Sequence, residues 1–143
     1  MPKLKIKRLS EDAVIPKYAT AGSACFDIHC TNSGVVPAGS STVFNTGLAF
    51  EIPEGYVMKI YSRSGHGFKS GIRLANVVGI IDSDYRAEVL VKLHNDSGFH
   101  FQVGKGERIA QAMLGRVEQV EFEEVEELSS TERGVGGFGS TGK

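Results

Sequence analysis

The sequence predicts a mainly β chain, one domain built as a sandwich or barrel, on three observations. Apolar and polar residues alternate with period two in several short runs, eighteen glycines punctuate those runs, and only two short segments tempt a helical reading. Leu4 and Ile6 share one face while Lys5 and Lys7 take the other. Val57, Met58 and Ile60 follow a turn at Pro53–Gly55, and Val89, Val91 and Leu93 alternate in turn. Phe99, Phe101 and Val103 lie beyond a turn at Asn95–Gly98, and the run from Val117 to Val125 alternates apolar side chains with Glu. All of these read as strands. Ser64–Ser70 opens on a good N-cap residue and reads as one or two turns of helix. Arg108–Leu114 is helix or strand, its apolar spacing being ambiguous.

At 143 residues the chain has the length of one domain and can bury a continuous core without disulfides or a structural metal. Lys and Arg number 16 against 17 Asp and Glu, so no basic surplus points to a nucleic-acid backbone and no acidic block suggests a solvating tail. Cys25 and Cys30 match no zinc spacing and read as reduced, packed thiols. Met1–Ser10 lacks the apolar run of a signal peptide, and no stretch approaches membrane-spanning length. The expectation is a soluble, cytoplasmic chain with neither nucleic acid nor membrane as partner.

Three clusters carry chemistry. The segment from Thr131 to Lys143 has five glycines in thirteen residues and only Val135 and Phe138 as apolar side chains, so it cannot bury itself. It is a disordered terminus or a functional arm. Gly134, Gly136 and Gly139 formally match the dinucleotide fingerprint, but no helix can follow; a phosphate loop of the Walker kind fails because Ser140 stands where lysine must be. What remains is a fixed cation, Arg133, with backbone amides freed by glycine and the hydroxyls of Ser140 and Thr141: contacts suited to a triphosphate. Phe138 offers a face on which a base can stack. Second, Tyr61-Ser62-Arg63-Ser64-Gly65 sets Arg and Ser at the mouth of the expected helix, either an anion seat or a capped turn with a solvated Arg. Third, Asn76–Glu88 has the form of a hairpin around Gly79, from which Asp82 emerges just after Ile80 and Ile81. Asp84 reads as a turn former. Asp82, one step nearer the core, is either a turn former or a partly buried general base for water.

With these clusters the chain resembles the homotrimeric deoxyuridine triphosphatase family, defined by five short motifs in fixed order. They are similar to Gly22-Ser23-Ala24-Cys25-Phe26-Asp27-Ile28, Arg63-Ser64-Gly65, Asn76–Glu88, Gly106-Glu107-Arg108-Ile109-Ala110-Gln111 and Arg133–Ser140. The departures are Ser62 where Pro is frequent, Cys25 where Gly is common, and Ala87 for a usual Gly; Ala87 raises the question of a positive φ, which alanine tolerates poorly.

The resemblance implies a β-barrel, jelly-roll-like subunit of the β-clip kind over residues 1–130. It further implies that residues 131–143 form a flexible arm closing over a neighbour's active site in a homotrimer. It implies hydrolysis of dUTP to dUMP and pyrophosphate, which limits uracil in DNA and supplies dUMP for thymidylate synthesis. Uracil would meet backbone groups near Gly79 and the Asn76 amide, and Tyr85 would pack under the sugar where a ribose hydroxyl would otherwise sit. Asp82 would deprotonate the attacking water. Arg63, Ser64 and Gln111, with Gly65 beside them, would contact the α and β phosphates; Arg133, Gly139, Ser140 and Thr141 would close over the γ phosphate, and Phe138 would stack on uracil. Mg²⁺ is the implied cofactor, with Asp27 reaching it through water. The alternatives are a dCTP deaminase of the same fold, which releases ammonia rather than pyrophosphate, and a nucleotide-binding regulatory β protein.

Overall fold

Alternation becomes strand wherever one face of a run can be buried. The computed structural model describes residues 1–142, so that Lys143 of the glycine-rich segment lies outside the described residues. In chain order the elements are β1 (Lys5–Arg8), β2 (Phe26–His29), β3 (Gly34–Val36), β4 (Ser41–Asn45), β5 (Leu48–Glu51) and β6 (Tyr56–Tyr61). The single helix among the described residues, α1 (Ser64–Ser70), precedes β7 (Ile72–Leu74), β8 (Gly79–Ile81), β9 (Leu90–Asn95), β10 (Phe101–Val103) and β11 (Arg108–Arg116). Every pairing is antiparallel. A four-stranded sheet runs β2-β11-β6-β8, a three-stranded sheet β4-β9-β7, and β1-β5 and β10-β3 form two ribbons.

One core lies between these layers. Ile28, Met58, Ile60, Ala110 and Ala112 enter it from the four-stranded sheet, and Phe44, Ile72, Leu74, Val91 and Leu93 from the three-stranded one, all buried. The expected alternation holds in β9, where Val91 and Leu93 point in while Leu90 and Lys92 are exposed. The turn before β6 forms as expected: Gly55 adopts φ +80° and the Tyr56 amide donates to the Pro53 carbonyl at 3.1 Å. Both cysteines are free thiols, and burial pushes the Cys30 thiol above its ordinary pKa while its Sγ donates to the Gly104 carbonyl.

The ambiguous segment Arg108–Leu114 is strand, and the reason for its ambiguity is visible. The pairing of β11 with β2 shifts register between Arg108 and Ala110, a bulge that turns the adjacent Ile109 and Ala110 both toward the core. A bulge breaks period two, which is why neither template fits the sequence there. Val117–Val125, by contrast, is not a strand. It follows the end of β11, finds no ladder partner among the described residues, and leaves Val120 and Phe122 exposed. Its alternating pattern is an unpaired one.

Gly79 has a packing reason. It sits opposite Ile60 across the β8–β6 pairing, and a Cβ added there would lie 3.1 Å from the Ile60 Cβ, an atom fixed to the backbone. Gly79→Ala is therefore expected to destabilise the chain by about 1–3 kcal/mol, as overpacking a filled site does. A urea unfolding midpoint unchanged by the substitution refutes this.

Candidate active site

The first, second and fourth motifs converge on one patch. Asp27 on β2 lies in register with Gln111 on β11, which is itself in register with Tyr61 at the end of β6. The Gln111 side-chain amide donates to the Ser62 carbonyl at 2.9 Å, tying β11 to the segment that leads into α1. Two guanidiniums flank the Asp27 carboxylate: Arg63 Nε at 3.7 Å from Oδ1 and Arg108 Nη1 at 3.4 Å from Oδ2. Arg63 also donates through Nη1 to the Arg108 carbonyl at 3.2 Å. Asp27 thus neutralises part of a cationic seat that retains a net positive charge.

Ser62, which stands where Pro is frequent in similar chains, uses its hydroxyl to accept from the Leu74 amide at 2.9 Å. The expected Ser64 cap is corrected. Ser64 is the first helical residue, the N-cap is Arg63 with extended backbone, and no side chain caps the helix. The chain leaves β6 extended through Arg63, so Ser64 already has helical geometry and its hydroxyl is not placed to bond its own first turn. Arg63, Ser64 and Gly65 therefore meet solvent with first-turn amides open to an anion.

Among the described residues, no three or more His, Cys, Asp or Glu side chains assemble into a metal cage. With two guanidiniums on its carboxylate, Asp27 is poorly suited to direct ligation of a dication. A hard cation that keeps its waters and takes oxygens from a bound polyphosphate needs no cage, and for it Asp27 can serve as an acceptor from those waters.

The third motif is not a paired hairpin. Its one strand, β8, pairs with β6, while β7 just before the motif pairs with β9, so the Ala75–Val78 turn carries the chain from one layer to the other. At its tip Val78 N–H donates to the Asn76 carbonyl at 2.7 Å around Val77, whose φ is +66°. A β-branched residue in that region is strained, and such strain gathers at binding sites. Ala87, in contrast, has no positive φ, so the concern over its missing glycine falls away.

Asp82 directly follows β8 and is exposed rather than partly buried, because the chain turns there, the Tyr85 amide donating to the Asp82 carbonyl at 3.2 Å. Among the described residues its carboxylate accepts no hydrogen bond. Asp84 likewise makes no side-chain bond to its own turn, which the Arg86 guanidinium ties instead by donating to the Ser83 carbonyl at 2.6 Å. The Tyr85 hydroxyl donates to the Glu88 carbonyl at 3.0 Å, which fixes the ring over the turn.

Within one chain these two groups of residues do not meet. Antiparallel pairing sets Ile60 opposite Gly79 and Met58 opposite Ile81, so Asp82 leaves beside the Val57 end of β6 whereas Arg63 follows the Tyr61 end. At about 3.3 Å per residue, the run from Val57 to Arg63 spans about 20 Å.

The glycine-rich segment is a series of tight turns, with Gly134 N–H donating to the Thr131 carbonyl, Gly136 to Arg133, Ser140 to Gly137 and Gly142 to Gly139. These turns collect Arg133, Ser140 and Thr141, with Glu132, around one shallow concavity. Phe138 is fully exposed at φ +45°, between the turns, with Gly139 following at +88°. No hydrogen bond or ion pair joins residues 118–142 to the barrel among the described residues.

A profile of the family described as dUTPase matches residues 11–142. Curated relatives named deoxyuridine 5'-triphosphate nucleotidohydrolase are similar over nearly the whole chain. That of Nautilia profundicola is 53% identical over 141 residues and covers 99% of both chains. That of Wolinella succinogenes is 45% identical over 141 residues, covering 99% of this chain and 95% of its own. Among solved structures, a Staphylococcus bacteriophage 80alpha dUTPase with dUPNHPP superposes with a TM-score of 0.91 at 30% identity, covering 99% of each chain. A mutant dUTPase of phage phi11 of S. aureus, described with a structural Mg(II) ion, has a TM-score of 0.81 at 25% identity and covers 87% of this chain and 97% of its own.

Proposed function

The chain belongs to the dUTPase family and hydrolyses dUTP, and from that premise we propose that its active sites are shared between subunits of a homotrimer. The observation that carries this reading is the separation along β6. Asp82 leaves beside the Val57 end of β6 and the Arg63 seat follows its Tyr61 end, an extended run of about 20 Å, yet a base for water and a seat for phosphates must meet at a single phosphorus atom. A closed assembly brings the Asp82 end of one subunit to the Arg63 end of another.

In that site the uracil edge meets backbone groups of the strained turn from Asn76 to Gly79, together with the Asn76 amide. Cytosine presents the opposite donors and acceptors there, and unpaired buried polar groups reject it more sharply than size can. The Tyr85 ring, held by its hydroxyl over the turn, packs under the deoxyribose. Arg63, Ser64, Gly65 and Gln111 hold the α and β phosphates. Asp82 takes a proton from a water whose oxygen bonds the α-phosphorus in line as the bond to the bridging oxygen breaks, and pyrophosphate leaves. Asp27 would accept from the waters of a bound Mg²⁺, which would supply charge neutralisation on the phosphates. The arm, residues 131–143, lays Arg133, Gly139, Ser140 and Thr141 over the γ phosphate and Phe138 on the uracil face, excluding bulk water. The barrel core is residues 1–130. A cytoplasmic chain fits this role; no helix among the described residues is long and apolar enough to cross a membrane.

Pyrophosphate release measured side by side with dUTP, UTP, dCTP and dTTP tests the selectivity. Fast release is expected from dUTP and little from the other three. Tyr85→Ala is expected to narrow the preference for dUTP over UTP, because the ring fills the space of the ribose hydroxyl. An unchanged preference in that variant places the discrimination elsewhere, and ammonia released from dCTP would restore the deaminase reading.

A further inference from the structure

We propose that His66 is a positioning residue for phosphate binding: its neutral ring accepts a hydrogen bond from Arg63 at Nε2 and holds that guanidinium in the attitude the substrate phosphates require. This rests on the reading of Arg63 as a phosphate contact given above.

His66 lies in the first turn of α1, and its Nε2 is 3.4 Å from Arg63 Nη1. A guanidinium can only donate, so Nε2 must be the acceptor and the ring proton must sit on Nδ1. That same Nδ1 is buried and has no hydrogen-bond partner. A buried N–H left unpaired is costly and calls for an explanation. Here the explanation is geometric: the ring stands edge-on to Phe101, with centroids 5.3 Å apart, which leaves Nδ1 without a partner while aiming Nε2 at Arg63. Unpaired Nδ1 is the consequence of presenting an acceptor to a cation.

That acceptor fills a specific gap. Arg63 Nε leans on Asp27 and Nη1 on the Arg108 carbonyl, and these contacts approach from the strand side. His66 reaches Nη1 from the helix side, so the guanidinium is held from two elements at once.

The charged groups facing the ring are Arg63 ahead of α1 and Glu107 and Arg108 at the head of β11; Phe101 on β10 is apolar. Burial foremost, then Arg63, lowers the pKa of His66 below its ordinary value of 6.5, with Glu107 opposing and Arg108 assisting. At neutral pH the ring is therefore uncharged and can accept. Once pH falls through its lowered pKa, the ring becomes a cation that donates at both nitrogens, loses its acceptor and repels Arg63.

The test compares His66→Leu, which keeps an apolar packing against Phe101, with His66→Gln, which keeps an acceptor. At pH 8, KM for dUTP is expected to rise about threefold to tenfold in His66→Leu with kcat within about twofold, the range for one lost hydrogen bond. His66→Gln should lie nearer the parent. As pH is lowered through the depressed pKa of the ring, the KM ratio of His66→Leu to parent should fall to one or below, since the parent loses the contact and gains a repulsion; titration of the nucleotide's own phosphate cancels in that ratio. In ¹⁵N spectra of the parent at pH 8, His66 should show an unprotonated Nε2 and a protonated Nδ1. A KM unmoved in His66→Leu, a ratio independent of pH, or a protonated Nε2 each overturns the proposal. Arg63→Ala separates the two readings. If it raises KM and His66→Leu adds nothing further in its background, the coupling stands. If Arg63→Ala raises KM while His66→Leu does not, His66 alone is wrong. If Arg63→Ala leaves KM unchanged, the phosphate role of Arg63 falls first and takes the inference with it.

Discussion

Asp82→Asn is expected to lower kcat for dUTP hydrolysis by at least ~100-fold, the lower end for a lost general base. The substitution keeps shape and removes the charge and the proton affinity. Because among the described residues the Asp82 carboxylate accepts no hydrogen bond and stands exposed on the single chain, folding should be almost untouched, with stability changed by less than about 0.5 kcal/mol. Binding of a non-hydrolysable imido analogue of dUTP should likewise persist. This triple of dead turnover, intact binding and intact stability separates a base from a turn former, since loss of a turn former shows in the unfolding midpoint. Near-normal turnover in Asp82→Asn would remove this residue from the chemistry.

The exposure of Asp82 shows where sequence reading stops. Apolar residues before a carboxylate suggest a strand end near the core, and β8 does end there, but whether the next side chain is covered depends on what packs across it. The same limit applies to Val117–Val125, whose alternation promises a strand that finds no ladder partner among the described residues. Ladders are contacts between segments, and period two names only one side of them. The strands β1, β6 and β9 were legible because each has one face on the core, and β10, itself three residues long, because the alternation Phe99, Phe101, Val103 begins before it; β3, β7 and β8, three residues apiece, were not read from periodicity.

In the candidate site, residue types suggested where to look while their structural partners stayed hidden. Arg63 beside Ser64 suggests an anion seat, but nothing local reveals that the Asp27 carboxylate and the Arg108 carbonyl would approach its guanidinium from strands far away in sequence. His66 gave no signal, a lone histidine on a short helix being ordinary. Val77 could not be found by pattern either: a β-branched residue at φ +66° contradicts local preference, and only the surrounding fold forces it. Conflicts between local preference and global structure gather where binding is carried out.

Two crippled variants, mixed, should recover activity that neither has alone, and this decides whether the arm and the Asp82 of one site come from different subunits. One is Asp82→Asn with its arm intact; the other ends after Glu132 and keeps a normal barrel. Each should be nearly inactive, the first lacking its base and the second its γ-phosphate clamp and stacking ring. The turns of the arm gather Arg133, Ser140 and Thr141 around one concavity, and among the described residues no hydrogen bond or ion pair ties residues 118–142 to the barrel. If it serves a neighbour, a site needs a normal Asp82 from one chain and a normal arm from another. Random assembly of equal amounts then restores roughly a quarter of the sites, one half multiplied by one half. If each arm closes over the Asp82 of its own chain, every site lacks either base or arm and mixing restores nothing. Differently tagged subunits, co-expressed and purified through both tags in succession, prove that mixed assemblies were assayed. Pyrophosphate release that stays at the background of the separate variants in such doubly tagged material rules out the crossing arm.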